Sequence, residues 1–211
     1  MHIKKLKHCC MVIDVGKTRI ITDPGFYSIE EHDKVKHTDI VLITHEHTDH
    51  FHIESVKAML KRIPNLSIIA NDAVGEILAK EGVKHHIMKH GDVIDMKGVH
   101  IEAYGEKHAI MHSSIPPVSN IGFFLENKLF FPGDALTDPH RSVDVLALPV
   151  AGPWLKLSES IDYALKLRPR LAFPVHDGLR GATQHLLPEK VLGENGIEFI
   201  KLEEGGELEV K

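Results

Sequence analysis

Seven residues constrain this chain more than any others: the segment at 44–50 reads Thr-His-Glu-His-Thr-Asp-His. It follows a short apolar run that predicts a buried strand, and it precedes a predicted amphipathic helix. In an extended or tightly turned segment, residues two apart project the same way, so His45 and His47 can share one metal ion. Asp49 and His50, turned the other way, can address a second ion. The alternative to a metal site is a solvent-exposed cluster of histidines.

Further candidate ligands stand where later predicted strands break into loops. They are His108 after the strand that ends at Tyr104, Asp134 after the strand at 128–131, and His176 after the strand at 171–175. Active-site residues in layered folds collect at one edge of the sheets. Three independent strand ends that carry ligand-type residues therefore agree with the first motif.

Together these motifs resemble the metallo-β-lactamase superfamily: His-x-His-x-Asp-His after a strand, a later His, Pro-Gly-Asp, and a final Pro-Val-His-Asp, in the right order over nearly the whole chain. The resemblance implies that His45, His47 and His108 hold one ion, that Asp49, His50 and His176 hold the other, and that Asp134 bridges the two. Asp23 resembles the superfamily's first motif, a carboxylate that supports the site and is not usually a ligand. His112 competes with His108, and we prefer His108 because the superfamily places its ligand first after the strand.

Three features narrow the resemblance. Residue 47 is His, whereas the similar di-iron oxygen-reducing relatives carry Glu there. Residue 134 is Asp, whereas the antibiotic-degrading members carry Cys and lack the second His of the Asp-His pair. The opening Leu-Lys-His-Cys-Cys at 6–10 resembles the Leu-Gly-His-Ala/Ser signature of the branch that contains L-ascorbate-6-phosphate lactonase, although Lys7 replaces the usual Gly.

The activity that this resemblance implies is hydrolysis of a small-molecule ester, lactone or phosphodiester. Two divalent metal ions, zinc by preference with manganese or iron as alternatives, would activate a bridging water. Asp49 is the predicted catalytic residue, which orients the attacking hydroxide and takes its proton, and water, His112 or Asp177 protonates the leaving group. Two other functions stay open: a non-catalytic metal-binding or partner-binding module, and a redox di-iron protein.

Composition limits the partners and the location. The formal net charge of -5 and the lack of a long Lys/Arg run argue against nucleic acid and membrane surfaces as partners. The adjacent pair at 9–10 is the only cysteine pair and does not suit a strain-free disulfide, and nothing resembles a signal peptide or a membrane span. We therefore expect a cytoplasmic protein with a small-molecule substrate, and a homo-oligomer stays open. Isolated histidines are expected on the surface, such as His2, His32, His85, His86, His100 and His185.

The apolar pattern predicts one α+β domain over residues 1–211, since 43% hydrophobic residues suffice to bury a continuous core. Strands outnumber helices and helices occur in both halves, which favours a four-layer αββα sandwich of two mostly antiparallel or mixed sheets. Helices are predicted at 53–63, at 73–80 with Asp72 as N-cap, at 157–167 and at 188–192, with a loop at 24–38. Trp154 is expected to be a packed anchor rather than a stacking surface. For His8 and His140, a supporting hydrogen bond and no role are equally open.

Overall fold

The computed structural model describes residues 1–178 and 184–211. Its strands are β1 (His2–Lys7), β2 (Cys10–Val15), β3 (Thr18–Thr22), β4 (Ile40–Ile43), β5 (Ser67–Ala70), β6 (His86–Ile87), β7 (Val93–Met96), β8 (Val99–Tyr104), β9 (Gly122–Leu125), β10 (Leu129–Phe131), β11 (Val145–Pro149), β12 (Leu171–Val175), β13 (Glu198–Phe199) and β14 (Glu207–Glu209). Its helices are α1 (Ile29–His32), α2 (Ile53–Arg62), α3 (Asp72–Lys80), α4 (Leu157–Leu167) and α5 (Leu186–Glu194).

The strands form two mixed sheets of similar design. The first has the order β14-β1-β2-β3-β4-β5-β6 and the second the order β13-β12-β11-β10-β9-β8-β7. In the first sheet the pairs from β14 to β3 are antiparallel and the pairs from β3 to β6 are parallel. The second sheet has the same division, antiparallel from β7 to β10 and parallel from β10 to β13.

Side chains along the central strands point alternately to the two faces of each sheet, and this explains why each sheet is covered on both faces. Ile40 and Leu42 of β4 lie between the sheets, in the same buried cluster as Phe173 of β12. Val41 and Ile43 point to the other face, into a cluster that includes residues of α2 and α3. Successive side chains of a strand face opposite ways, so a strand buried on both faces reads as a continuous apolar run.

Helices cover the outer face of each sheet. Met59 of α2 and Leu78 of α3 are buried against the first sheet. Ile161 of α4 and Leu192 of α5 are buried against the second sheet, where Leu146 of β11 belongs to the same cluster. The predicted four-layer α+β sandwich is confirmed, and both sheets are mixed. Within the described ranges, no helix is long and apolar enough to cross a membrane.

The structure corrects several local predictions. The predicted loop at 24–38 contains a 3-10 turn (Phe26–Ser28) and the single-turn helix α1. The N-cap of α3 is Asn71 rather than Asp72, because the Asn71 side chain accepts a hydrogen bond from the backbone N–H of Val74 at 2.9 Å. His32 and His185, expected on the surface, are buried.

Candidate metal centre

Loops at one rim of the sandwich bring the predicted ligands together. The segment after β4 supplies His45, His47, Asp49 and His50, and the loops after β8, β10 and β12 supply His108, Asp134 and His176. The tight turn between β1 and β2 adds His8. Side chains from both sheets therefore converge at this rim.

The first group consists of His45, His47, His108 and Asp134, each of which offers one ligand atom within 4.8 Å of the others. The His45 Nε2 atom lies 3.0 Å from Nδ1 of His47. The Oδ2 atom of Asp134 lies 3.3 Å from Nε2 of His108 and 4.0 Å from Nε2 of His45. Three imidazoles and one carboxylate thus surround one small space.

The second group consists of His8, Asp49, His50 and His176, again with one ligand atom from each within 4.8 Å of the others. Its centre is Oδ2 of Asp49, which lies 3.2 Å from Nε2 of His8. The same oxygen lies 3.7 Å from Nε2 of His50 and 3.7 Å from Nε2 of His176. This group has the same composition as the first.

Asp134 lies between the two groups. Its Oδ1 atom is 3.1 Å from Nε2 of His50, and its Oδ2 atom is 2.8 Å from Nε2 of His176, both in the second group. The same Oδ2 atom faces His108 in the first group and accepts a hydrogen bond from Nε1 of Trp154 at 2.9 Å. Asp134 therefore contacts residues of both groups, and its hydrogen bond with Trp154 fixes its orientation.

Buried partners set the orientation of two imidazoles. Asp23 is fully buried and accepts hydrogen bonds from the backbone N–H and the hydroxyl of Thr44, each at 2.8 Å. Its Oδ2 atom also accepts from Nδ1 of His50 at 2.7 Å. Nδ1 of His108 donates in the same way to the carbonyl of Ala109 at 2.5 Å. With Nδ1 occupied, Nε2 of both rings is left to face the site, the usual arrangement of histidine ligands.

The electrostatics of the rim favour added positive charge. Burial alone would lower the pKa of His50, but Asp134 and Asp23 outweigh it and raise that pKa well above its usual range. Burial would raise the pKa of Asp134, yet His50 and His176 hold it well below its usual range. At His45, desolvation and the neighbouring His50 outweigh the effect of Asp134 and lower the pKa well below the usual value. The carboxylates thus draw a proton onto His50, and a divalent ion would take the place of that proton.

Several buried atoms at the rim lie close to one another but make no hydrogen bond of acceptable geometry to the described residues. They include Nε2 of His50, His108 and His176 and Oδ1 of Asp134. Buried polar atoms are nearly always satisfied, so a cluster of such atoms facing one space calls for a ligand. Imidazole nitrogen and carboxylate oxygen are the donors that zinc and similar divalent ions prefer. The residues present therefore fit a metal centre.

A cavity of about 390 Å³ opens over the first group, and Met111, Pro153 and Trp154 supply part of its wall. A second cavity of about 380 Å³ adjoins it and is lined in part by Tyr27 and Gly152. These walls come from three loops, at residues 25–27, 109–120 and 149–154. Volumes of this size suit small-molecule ligands.

The other candidate residues are not members of the two ligand groups. His112 is exposed, and its Nδ1 atom lies 2.8 Å from the Ser114 hydroxyl, so His108 and not His112 joins the centre. The buried Trp154 stands edge-on to His108 and His176, as expected of an anchor. His140 is exposed and belongs to neither group, and among the described residues its hydrogen bond and its ion pair are both made with Asp138.

Asp177 does not suit the predicted role of proton donor. It is buried and paired with Nζ of Lys5 at 2.6 Å and with Nε2 of His185 at 2.7 Å. Burial would raise its pKa, but His185 and Lys5 lower it below the usual value. Asp177 therefore remains ionised within an internal network. The sequence prediction missed Lys5 and His185 as members of this network. The burial of Lys5 could have been predicted, because residues 3 and 5 of β1 point to the same face of the sheet and residue 3 is the apolar Ile3.

The layered fold and the paired His/Asp groups at its rim define a protein of the metallo-β-lactamase class. Residues 2–176 match the family model described as the Beta-lactamase superfamily domain, and the chain belongs to that superfamily.

Named relatives agree with this membership. The chain is 32% identical over 184 residues to Protein Rv0786c of Mycobacterium tuberculosis, covering 85% of each chain. It is 25% identical over 184 residues to the UPF0173 metal-dependent hydrolase Ta0764 of Thermoplasma acidophilum, covering 80% of each. The fold is similar to that of Igni18, a metallo hydrolase from Ignicoccus hospitalis, with a TM-score of 0.76, 19% identity and full coverage of both chains.

Proposed function

We propose that this protein is a hydrolase that binds two divalent metal ions and cleaves a small-molecule ester, lactone or phosphodiester. The observation that carries the proposal is the pair of three-imidazole, one-carboxylate groups that meet at Asp134 beneath the cavity. The broader prediction of a metal-dependent hydrolase is confirmed by the superfamily match and by relatives of that name. Lactones are included because the opening segment at 6–10 resembles the lactonase branch.

The proposed ligands follow the two groups. His45, His47 and His108 would hold one ion, and Asp49, His50 and His176 would hold the other, with Asp134 between them. Zinc suits these donors best, and manganese or iron are the alternatives. When bound, such ions lower the pKa of a coordinated water towards neutrality and polarise the carbonyl or phosphoryl oxygen under attack.

The chain's own groups complete the chemistry. Asp49 orients the attacking water and accepts its proton at Oδ1, because Oδ2 is the oxygen that faces the imidazole nitrogens of the second group. Asp134, held by Trp154, keeps the two groups at a fixed separation. The leaving group receives a proton from solvent water or from His112, which follows the cavity residue Met111. Pro153 and Trp154 limit the access of other water to the reacting atoms.

The test combines metal analysis with a substrate screen. The full chain is reconstituted with zinc, manganese or iron and assayed on lactones, thioesters, esters and phosphodiesters. Hydrolysis by protein that carries two ions supports the proposal. Iron with oxygen consumption would instead support a redox protein, and an intact loaded site with no turnover on the panel would support a binding module.

Asp49→Ala sharpens this test. Loss of the residue that takes the proton should lower turnover by about 10³-fold or more while the chain stays folded. Asp162→Ala is the matched control, because Asp162 is exposed on α4 and should leave turnover unchanged. Near-normal turnover of Asp49→Ala would contradict the role assigned to this carboxylate.

A further inference from the structure

His8 is placed among the proposed ligands although it lies outside the motifs that predicted them. It is buried in the turn between β1 and β2, with its Nε2 atom 3.2 Å from Oδ2 of Asp49. Its ring centroid lies 4.1 Å from that of His176 and 5.5 Å from that of His50. These contacts put an imidazole nitrogen at the edge of the space that the second group encloses.

The distances match those between ligands of one ion. Zinc–nitrogen bonds of about 2.1 Å in a tetrahedron place neighbouring ligand atoms about 3.4 Å apart. Oδ2 of Asp49 lies 3.2 Å from Nε2 of His8, 3.7 Å from Nε2 of His50 and 3.7 Å from Nε2 of His176. With His8 included, the second group has three imidazoles and one carboxylate, like the first.

The backbone holds His8 in this position. Its φ of 56° is in the left-handed region, which turns the ring from the hairpin towards the rim. Its carbonyl accepts a hydrogen bond from the backbone N–H of His176 at 3.4 Å. Gly178 packs against the ring so closely that a Cβ there would lie 3.3 Å from Nδ1 of His8. The ring is thus fixed by the same loop that carries His176.

We propose that His8 is a fourth protein ligand of the second ion and binds it through Nε2. This inference rests on the proposed two-metal function. The competing role is that of a positioning residue, in which Nε2–H only donates a hydrogen bond to Asp49. The variant His8→Gln distinguishes the two roles. The amide of its side chain can still donate a hydrogen bond to Asp49, but it is a poor ligand for zinc.

The experiment measures metal binding rather than activity. The metal-free protein is titrated with Zn²⁺ by calorimetry and with Co²⁺ by visible absorption, for the wild type, His8→Gly, His8→Gln and the control His86→Gln, since His86 is exposed on β6 and belongs to neither group. Glycine accepts the left-handed backbone at position 8, so His8→Gly should fold. The affinity for the first ion serves as an internal check of folding in each variant.

The wild type and His86→Gln should bind two ions. Both His8 variants should bind the second ion more than about 100-fold more weakly, beyond the about 10- to 100-fold loss typical of an outer hydrogen-bond partner. Their Co²⁺ absorption should change for the second ion only, and added imidazole should restore its binding to His8→Gly. If His8→Gln instead binds the second ion with wild-type affinity, the inference is overturned while the two-metal function stands. Fewer than two ions in the wild type would overturn both.

Discussion

Lys5→Met tests the buried network behind the metal centre. Lys5 is fully buried, and its Nζ donates to the Asp177 carboxylate at 2.7 and 2.6 Å and to the carbonyls of Pro174 at 2.9 Å and Leu202 at 3.2 Å. Methionine fills much of the same space but leaves Asp177 buried without its ammonium partner. Removal of one partner of a buried ion pair costs about 3–5 kcal/mol, and we expect the lower end because His185 still contacts Asp177.

Urea unfolding of the metal-free protein, followed by circular dichroism, measures this loss. Lys4→Met is the matched control: Lys4 is the neighbour of Lys5 on β1, but its ion pair with Glu207 is exposed and screened by solvent, so its loss should change the free energy of unfolding far less than Lys5→Met does. The double variant Lys5→Met/Asp177→Asn should recover part of the loss, since it removes the uncompensated charge. A loss below about 1 kcal/mol for Lys5→Met would refute this account of the network.

Three further changes test the site and its surroundings. Gly25→Ala would place a Cβ 1.9 Å from the carbonyl oxygen of Asp49, so we expect a loss of about 3 kcal/mol or more in urea unfolding, and an unchanged midpoint would contradict it. Asp23→Asn weakens the hydrogen bond that orients His50 and should reduce zinc affinity about 10- to 100-fold by calorimetry; unchanged affinity would exclude this role. Burial lowers the pKa of His32 to about 4, so the unfolded chain binds more protons below pH 6.5 and stability falls as the pH drops from 6.5 to 4. His32→Leu should flatten that pH dependence in urea unfolding, and equal slopes would argue against it.

The sequence predicted the layers well because central strands carry a strong signal. The continuous apolar run Ile40–Ile43 indicated a strand buried on both faces, as observed. The short helix α1 was not predictable, since four residues give no helical period and its formation depends on the burial of His32. The N-cap of α3 was misplaced by one residue because Asn71 and Asp72 are both good caps, and only the end of β5 decides between them.

The candidate site was predicted to the extent that strand ends and residue types specify it. His45, His108 and His176 each follow a strand, and the structure brings all three to one rim. The place of His8 could not be predicted in the same way, because its approach to His176 requires the two sheets to pack together. Asp177 was interpreted as a possible proton donor because it is next to His176 in the sequence. The sequence does not reveal that its side chain points away from the site, towards Lys5 and His185.

Neither half of the sandwich carries a complete set of ligands. The first sheet contributes His45 and His47 to one group, and the second sheet completes that group with His108 and Asp134. The other group depends in the same way on His176 from the second sheet. An ion bound there, as proposed, would link the two sheets and would stabilise the folded chain by about 4 kcal/mol at a thousandfold excess over Kd. Metal supply would then govern the stability of the folded chain as well as its chemistry.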